Sequence, residues 1–415
     1  MAVNLVKYNV LLRHNNTDMH LVEVNDKRTA REFLEVARTL YKDDPSWVCP
    51  LDMDINKIFN PRQNAFFKEG NAIRWILKDD QGTLIGRIAA FYNRKKAFRY
   101  AQPTGGAGFF ECINDQKAAD MLFDAAKSWL VAQGMEAMDA PINFGENDNF
   151  WGLLVEGFTR PAYGMPYNFP YYQQLFESYG FKPYFNQITK HLDLKTPFPD
   201  RFWKIAEWVN KRGGFTFIHF TYKEADKFIH DLKEVYDQAW VHHEHFIPLD
   251  MDVVKRELES AKPILEEDFI WFVYHEGKPV AFYIMFPDAN MIFRHFNGKL
   301  TLLNKLRFLY YKKTKEITRI RQTMMGVVPK FQGQGIESAI FWYLREPVLI
   351  KRPHISEMEL SWVGDFNPKM MAIQEAVNAK PGKLHITYRK LFKEVDEAQQ
   401  AAKIPLGTKK EDNQT

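Results

Sequence analysis

Between two apolar stretches the chain reads Val327-Val328-Pro329-Lys330-Phe331-Gln332-Gly333-Gln334-Gly335-Ile336. Two glycines two positions apart let a backbone approach a ligand with no Cβ in the way. A helix starting at Ile336 would add unpaired N–H groups and the positive end of its dipole, which together favour phosphate. No Lys-Ser/Thr follows the last glycine, so the stretch is not a P-loop. Nor does it have the Gly-x-Gly-x-x-Gly spacing of dinucleotide sites, since neither Ser338, where the third glycine would be sought, nor its neighbour Ala339 is glycine. The chemistry on offer is the binding of a diphosphate-bearing ligand, with a tight turn as the purely geometric alternative. Downstream, Glu359 and Ser361 alternate onto one face of the expected strand Met358 to Val363. Glu359 reads either as the base for an amine or as a strand-end carboxylate paired with an arginine. Asn367, at the start of the last helix, reads as an N-cap, with a ligand contact as the second reading.

The elements that would position these groups occur twice. Pro50-Leu51-Asp52-Met53-Asp54-Ile55 returns 198 residues later as Pro248-Leu249-Asp250-Met251-Asp252-Val253. Each copy precedes a hairpin pattern, Arg74 to Ala89 and Ile270 to Ile284, split by the turns Asp79 to Gly82 and His275 to Lys278. A glycine-led apolar strand follows in each half, at Gly108-Phe109-Phe110 and at Gly326-Val327-Val328. Then comes a helical stripe: Ala118, Leu122, Ala125, Ala126, Trp129 and Leu130 in one half, Ile336, Ala339, Ile340, Tyr343 and Leu344 in the other. Another strand follows, Ala137 to Ile142 or Met358 to Val363. Prolines in Lys195-Thr196-Pro197-Phe198-Pro199 mark the joint between halves, and the polar residues Leu406 to Thr415 read as a frayed tail. The first-half counterpart of the glycine loop is Glu111-Cys112-Ile113-Asn114-Asp115-Gln116-Lys117. It has no glycine, and its two carboxylates would repel a phosphate.

Composition narrows the classes. A chain of 415 residues is long enough for two domains, and its net charge of +4 is too small to rest DNA binding on phosphate neutralisation. Aromatic residues are 15% of the chain, enough to fill large cores and line apolar clefts. The two cysteines, Cys49 and Cys112, exclude a disulfide scaffold and fit a reducing compartment. With no signal peptide behind Met1 and no apolar run long enough to span a membrane, the expectation is a cytoplasmic protein. His242, His243 and His245 beside Glu244 are too crowded for a zinc set and read as a solvated or acceptor-lining loop, so no metal is expected. Lys299, Lys305, Arg307, Lys312, Lys313, Lys315, Arg319 and Arg321 form a basic run interleaved with Leu302, Leu303, Leu306, Phe308, Leu309 and Tyr310. This run reads as the solvated face of a helix beside a buried stripe. Contact with an anionic acceptor, a membrane or RNA phosphate is the functional alternative.

The loop resembles the pyrophosphate loop of the Gcn5-related N-acetyltransferases, Gln/Arg-x-x-Gly-x-Gly/Ala, with Gln332 and Gly335 matched and Gly333-Gln334 in the looser form. A wider resemblance, to bacterial tandem acyltransferase-like proteins, covers nearly the whole chain. It is carried by Pro141 to Phe144, Gly152 to Phe158, Pro170 to Tyr172 and Glu177 to Phe181 in the first half. In the second half Ala239-Trp240, Phe246-Ile247-Pro248, Asn297-Gly298, Glu359 to Trp362, Asn367 and Tyr388-Arg389 carry it. The resemblance implies an α/β fold of two tandem acyl-CoA N-acyltransferase-like domains, each a mixed, mostly antiparallel sheet flanked by helices. These would be residues 1–195 with a degenerate phosphate loop and 196–405 with the acyl-CoA site, followed by the tail 406–415. It further implies acetyl-CoA or another acyl-CoA as co-substrate, held by Val327, Val328, Gln332, Gly333, Gln334, Gly335, Ile336 and Asn367. Catalysis would fall to Glu359 and Ser361, with the N–H groups of Val327 and Val328 polarising the thioester carbonyl. The family's usual tyrosine acid has Gln374 in its place, which leaves the acid unassigned. The implied activity is transfer to an amine of a small-molecule or peptide acceptor by a single-chain pseudo-dimer. A non-catalytic acyl-CoA-binding protein and an aminoacyl-tRNA-dependent peptidyl-bridge ligase are the competing readings.

Overall fold

The computed structural model describes residues 18–98, 102–145, 149–240 and 248–393. In chain order its strands are β1 (His20–Glu23), β2 (Gly70–Lys78), β3 (Leu84–Asn93), β4 (Thr104–Cys112), β5 (Ala137–Ala140), β6 (Leu153–Glu156) and β7 (Lys182–Asp193). The second half adds β8 (Phe215–His219), β9 (Ile270–His275), β10 (Lys278–Pro287), β11 (Arg319–Val327), β12 (Glu357–Glu359), β13 (Val363–Gly364) and β14 (Lys380–Leu391). Both expected hairpins form, as the antiparallel pairs β2–β3 and β9–β10. Each leads to a nine-residue strand, β4 or β11. A helix follows, Gln116–Ala132 or Ile336–Leu344, and then a short strand parallel to the long one. The Gln116–Ala132 helix buries Ala118, Leu122, Ala126 and Leu130, the stripe expected from their spacing. Two expected strands are shorter than their apolar runs. Ala137 to Ile142 stops at Ala140, and Met358 to Val363 breaks into β12 and β13. In the second case the chain leaves β11 after Glu359 and continues against β7 alone, so Glu359 and Ser361 do not share a strand.

All fourteen strands join one sheet, in the order β1-β2-β3-β4-β5-β14-β7-β12-β11-β10-β9-β8, with β6 on β14 and β13 on β7. The two long strands in the middle are exchanged between the sequence halves. β7, from the first half, pairs with β12 and β13 of the second. β14, at the far end of the chain, pairs with β5 and β6 of the first. Each is twelve residues long and they pair antiparallel, with His385 opposite Gln187. Residue 385 is residue 187 moved on by 198, the spacing of the Pro-Leu-Asp-Met-Asp copies. The pseudo-two-fold axis therefore passes between Gln187 and His385. The exchange is fastened by Arg389 on β14, whose Nε and Nη2 donate to Asp139 on β5 at 2.6 and 2.8 Å in a buried bidentate pair.

Two apolar clusters flank this seam, one under β2–β5 and the helix Gln116–Ala132, the other under β9–β12 and the helix Ile336–Leu344. The helix Leu302–Lys313 departs from expectation. Only Phe308 is buried, on Phe293 and Phe296, while Leu302, Leu303, Leu306, Leu309 and Tyr310 are exposed. At 100° per residue those five lie on the side opposite Phe308, so the side that anchors the helix turns the leucines outward. The end of the basic run is not solvated either, because Arg319 and Arg321 are buried on β11. The histidines at 242, 243 and 245 lie outside the described residues. Among the described residues no helix is long and apolar enough to cross a membrane.

Exchange makes each half depend on the other for a central strand. Expressed apart, the fragments 1–195 and 196–415 are expected to show no cooperative thermal unfolding by circular dichroism, whereas co-expressed fragments should co-purify and melt together. A cooperative melt from either fragment alone would contradict the dependence.

Candidate functional site

The long strand of the second half opens a gap. β11 and β12 pair only from Arg319↔Glu357 to Arg321↔Glu359. Just beyond, Thr323 is an extra residue in β11, bulged opposite the Ile284–Met285 step of β10, and a bulge bends a strand away from its neighbour. From Gln322 onward the β12-facing edge of β11 has no strand partner in the register. Val328 donates its N–H to Val280 O at 2.9 Å, so that N–H points at β10, while its carbonyl accepts from Phe331 N–H at 2.8 Å. By the alternation of an antiparallel ladder, Val327 and Met325 turn their main-chain groups into the gap. The expected donor Val328 has its N–H committed to the sheet, and Met325, which the sequence reading passed over, faces the gap beside Val327.

The loop that follows is built for an approach by main chain. Gln332 Nε2 donates to Val327 O at 3.1 Å, tying the loop to the strand, and Gln334 Nε2 donates to Lys330 O at 3.0 Å. Gly333 and Gly335 have φ of +73° and +79°, a region other residues rarely adopt. No atom lies within 4 Å of where a Cβ on Gly333 would be. A Cβ on Gly335 would meet Ile205 at 2.7 Å and Val209 at 3.1 Å, both on the helix Asp200–Arg212. Gly335 is the N-cap of the Ile336–Leu344 helix and supplies no side-chain acceptor; Glu337 turns its carboxyl to its own N–H, leaving the other first-turn N–H groups to an external acceptor. Ile336 is fully buried in the core and can offer a ligand only its N–H. This frame fits the diphosphate of an acyl-coenzyme A. One residue departs from the resembled pattern: Glu337 stands where Gly/Ala is called for. It is 8% exposed, and burial raises its carboxyl above the usual range, opposing a second negative charge beside the phosphates.

The first half has the same frame, closed. Cys112, the ninth residue of β4 as Val327 is of β11, donates its N–H to Tyr172 OH at 2.9 Å and accepts from Tyr171 OH on its carbonyl at 2.8 Å. Tyr172 also donates to Glu111, which is buried beside Arg87. Asp115 caps the helix Gln116–Ala132 by accepting from Ala118 N–H at 3.0 Å. The two carboxylates noted in the sequence are thus internal partners.

Glu359 ends β12 at the apex of the open gap. Its Oε2 is 3.0 Å from Lys383 Nζ and 3.9 Å from Arg319 Nη1. Burial would raise its carboxyl, but Lys383 and Arg319 outweigh burial and hold it below the usual range. A carboxylate so held is a weak base, and the pairing is the second of the two readings its sequence position allowed. Around it lies a buried polar patch on β7 and β14 that the sequence reading did not assemble. Glu359 Oε1, Gln187 Nε2, Thr189 Oγ1 and His385 Nδ1, with Trp151 Nε1 and Gln374 Oε1 from other segments, are all buried and find no partner among the described residues. Groups left so are costly unless something else meets them. Trp151 covers the patch, its ring 5.8 Å from His385 and 6.4 Å from Trp362, with the Arg321 guanidinium 5.0 Å above it. First-half carbonyls anchor the cover: Arg319 donates to Arg160 O at 3.2 Å and Arg321 to Tyr163 O.

The other expected residues scatter. Ser361 receives Gln374 Nε2 on its carbonyl at 3.1 Å, and its hydroxyl is not brought onto Glu359's strand. Asn367 accepts from Met370 N–H at 3.2 Å as the N-cap of the helix Pro368–Ala376, leaving its side chain occupied there. One sequence signal for the patch existed: Gln187-Ile188-Thr189 and His385-Ile386-Thr387 are the same register of the repeat.

The architecture is that of tandem Gcn5-related N-acetyltransferases. A tandem protein of this kind from the clavulanic acid biosynthesis pathway superposes with a TM-score of 0.54 at 12% identity, over 91% of this chain and all of that one. A GCN5-related glucosamine N-acetyltransferase region of a fungal multi-domain GH3 β-N-acetylglucosaminidase gives 0.55 at 11% identity, over 91% of this chain and 38% of that one. In sequence the chain is 27% identical to Protein YghO of Escherichia coli over 379 residues, 88% of this chain and 93% of that protein. It is 26% identical to the bacterial ceramide synthase of Caulobacter vibrioides over 386 residues, 90% and 98% of the two. No family model matches the chain.

The buried patch has a pH signature. Burial pushes His385 down to about 3 from 6.5, so between those values the unfolded chain binds a proton that the folded chain refuses. Stability must therefore fall as pH drops from 6.5 towards 3, by at most about 4–5 kcal/mol from this group. In urea unfolding, His385→Gln should flatten that fall between pH 6.5 and 5 relative to the parent. An identical slope in both proteins would show that His385 is not held neutral by burial.

Proposed function

We propose that the chain is an acyl-CoA-dependent N-acyltransferase with its active site in the second half, residues 196–405, and the first half, 1–195, as support. The observation that carries this is the gap between β11 and β12, which opens beside an uncapped helix N-terminus preceded by Gly333 and Gly335. Bound acyl-coenzyme A supplies an acyl thioester, a carbonyl activated toward an amine. The residues of this chain bind and orient around it. The N–H groups of Gly333 to Ile336 take the diphosphate, and those of Met325 and Val327 face the gap as donors to an oxygen that gains charge during attack. Glu359, with Oε2 taken by Lys383, offers Oε1 as an acceptor for an amine N–H at the apex. Its lowered carboxyl suits holding an amine better than abstracting its proton.

The Caulobacter relative bears the name ceramide synthase. A ceramide is an amide between a fatty acid and a long-chain amino alcohol, so long-chain acyl groups and lipid amines join acetyl-CoA and small or peptide amines among the substrates this reading covers. Gln374 donating to Ser361 O, in the place of a tyrosine acid, is the observation that keeps a non-catalytic acyl-CoA-binding protein as the second reading.

Substitution at Gly333 tests the cradle without disturbing the core. Asp tolerates positive φ, the space is open, and the new carboxylate lies against the phosphates. Gly333→Asp should weaken coenzyme A binding by about tenfold or more by calorimetry, from like-charge repulsion in a partly desolvated site, with an unchanged melting temperature. Equal affinity for both proteins would remove the cradle. Thiol release from acetyl- and palmitoyl-CoA with a panel of amines then separates enzyme from binder: turnover lost in Glu359→Gln while coenzyme A affinity persists supports the enzyme.

A further inference from the structure

The exposed leucines of the Leu302–Lys313 helix are a second unusual feature, remote in kind from the gap. Leu302 is 76% exposed, Leu303 65%, Leu306 59%, Leu309 58% and Tyr310 65%. A helix on a water-soluble surface normally turns such residues inward. Here Phe308 alone is buried, and the five large apolar side chains occupy an arc of about 120° pointing away from the protein. Scattered exposed leucines need no explanation, but a contiguous outward stripe marks an interaction surface.

The charges around the stripe identify its partner. From Lys299 to Lys315 the sequence has six basic residues, Lys299, Lys305, Arg307, Lys312, Lys313 and Lys315, and no acidic one. On the helical wheel Arg307 borders the apolar arc on one side, Lys305 and Lys312 on the other, and Lys313 ends it. Lys312 is held against Glu266 at 3.2 Å. Lys305, Lys313 and Lys315 have no ion pair among the described residues and are exposed. An apolar face rimmed by lysines matches an interface in which acyl chains lie beneath anionic headgroups. Lysine stems reach along the apolar surface and deliver their charge at headgroup level. A nucleic acid would use the lysines but leave the leucines in water, and a protein partner would need no cationic border of this kind.

We infer that the Leu302–Lys313 helix docks the protein on the surface of an anionic phospholipid bilayer, lying in the interface plane with the stripe Leu302, Leu303, Leu306, Leu309 and Tyr310 inserted and the lysines at the phosphates. The helix lies in the interface without spanning it, and the inference is independent of the acyl-CoA reading.

Co-sedimentation of the full chain with vesicles tests it. Binding is expected to vesicles of equal parts phosphatidylglycerol and phosphatidylcholine, and to be about tenfold weaker to phosphatidylcholine alone. Leu306→Glu with Leu309→Glu, and separately Lys305→Glu with Lys313→Glu, should each weaken it by about tenfold or more, with unchanged circular dichroism. A direct readout guards against a folding defect. Cys49 and Cys112 are buried, so an environment-sensitive fluorophore can be placed selectively at Leu306→Cys, or at Val131→Cys on the exposed side of another helix. The first should shift to the blue with anionic vesicles and the second should not. Failure of the parent protein to sediment, sedimentation indifferent to the leucine pair, or a parent dimer in light scattering that the leucine pair disperses would each overturn the inference. The last would assign the stripe to a second copy of the chain.

Discussion

The antiparallel pairing of β7 with β14 is the constraint on which the rest hangs. Two twelve-residue strands, one ending each half of the sequence, cross over and meet at Gln187 and His385. Because each completes the sheet of the other half, the two cores are fused into one sheet, and the residues nearest the axis are polar and buried. Main-chain hydrogen bonds along the pair are satisfied by geometry; the side chains on its polar face are not. Glu359, Lys383, Gln187 and Thr387 are partnered in part among themselves, Glu359 also by Arg319 and His385 Nε2 by Pro166 O, and several of their polar atoms have no partner among the described residues. Buried polar sets that are only partly satisfied are expensive, and proteins retain them where a substrate or water completes the set. The seam is thus both the mechanical joint and a buried cluster of partly unpaired polar groups.

Local signals were legible in the sequence and long-range ones were not. The hairpins, the helices Gln116–Ala132 and Ile336–Leu344, and the positive-φ glycines follow from spacing and residue type within a few positions. The exchange of β7 and β14 follows from partners some two hundred residues apart, about which periodicity is silent. The same limit explains the individual misses. The resemblance made donors of both Val327 and Val328, but neighbouring residues of a strand turn their main-chain groups to opposite edges, and which edge is the open one depends on where β10 lies. Glu359 and Ser361 alternate in sequence, yet Ser361 falls in the break between β12 and β13. The leucines of the Leu302–Lys313 helix show a stripe from their spacing. A stripe has no inherent direction, and Phe308 on the other side decided it.

Glu337 illustrates a different gap in reading. It is visible in the sequence two residues after Gly335, and the pattern that made Gln332 and Gly335 informative asks for a small residue there. Matching the favourable half of a motif conceals the unfavourable half. Physically the two halves act together, because the phosphate site of a helix N-terminus is the sum of inward N–H dipoles and any nearby fixed charge. Burial pushes the Glu337 carboxyl up, which acts in the direction of softening the conflict.

The asymmetry of the two halves has a structural logic. Between β5 and β6 the first half carries Pro141 to Gly152, whereas between β12 and β13 the second half has only Leu360 to Trp362. The longer segment brings Trp151 across the axis onto Arg321 and His385, and the chain beyond it gives the Arg160 and Tyr163 carbonyls to Arg319 and Arg321. The first half therefore covers the gap of the second. Among the described residues it receives nothing comparable in return, because three residues cannot reach over β14, and its own gap is filled instead by Tyr171 and Tyr172 on Cys112 and by Asp115 on its helix. Two symmetric open sites would need two long covering segments meeting at one axis, where Trp151 already fills the space beside Trp362. Closure of one site is the geometric condition for covering the other.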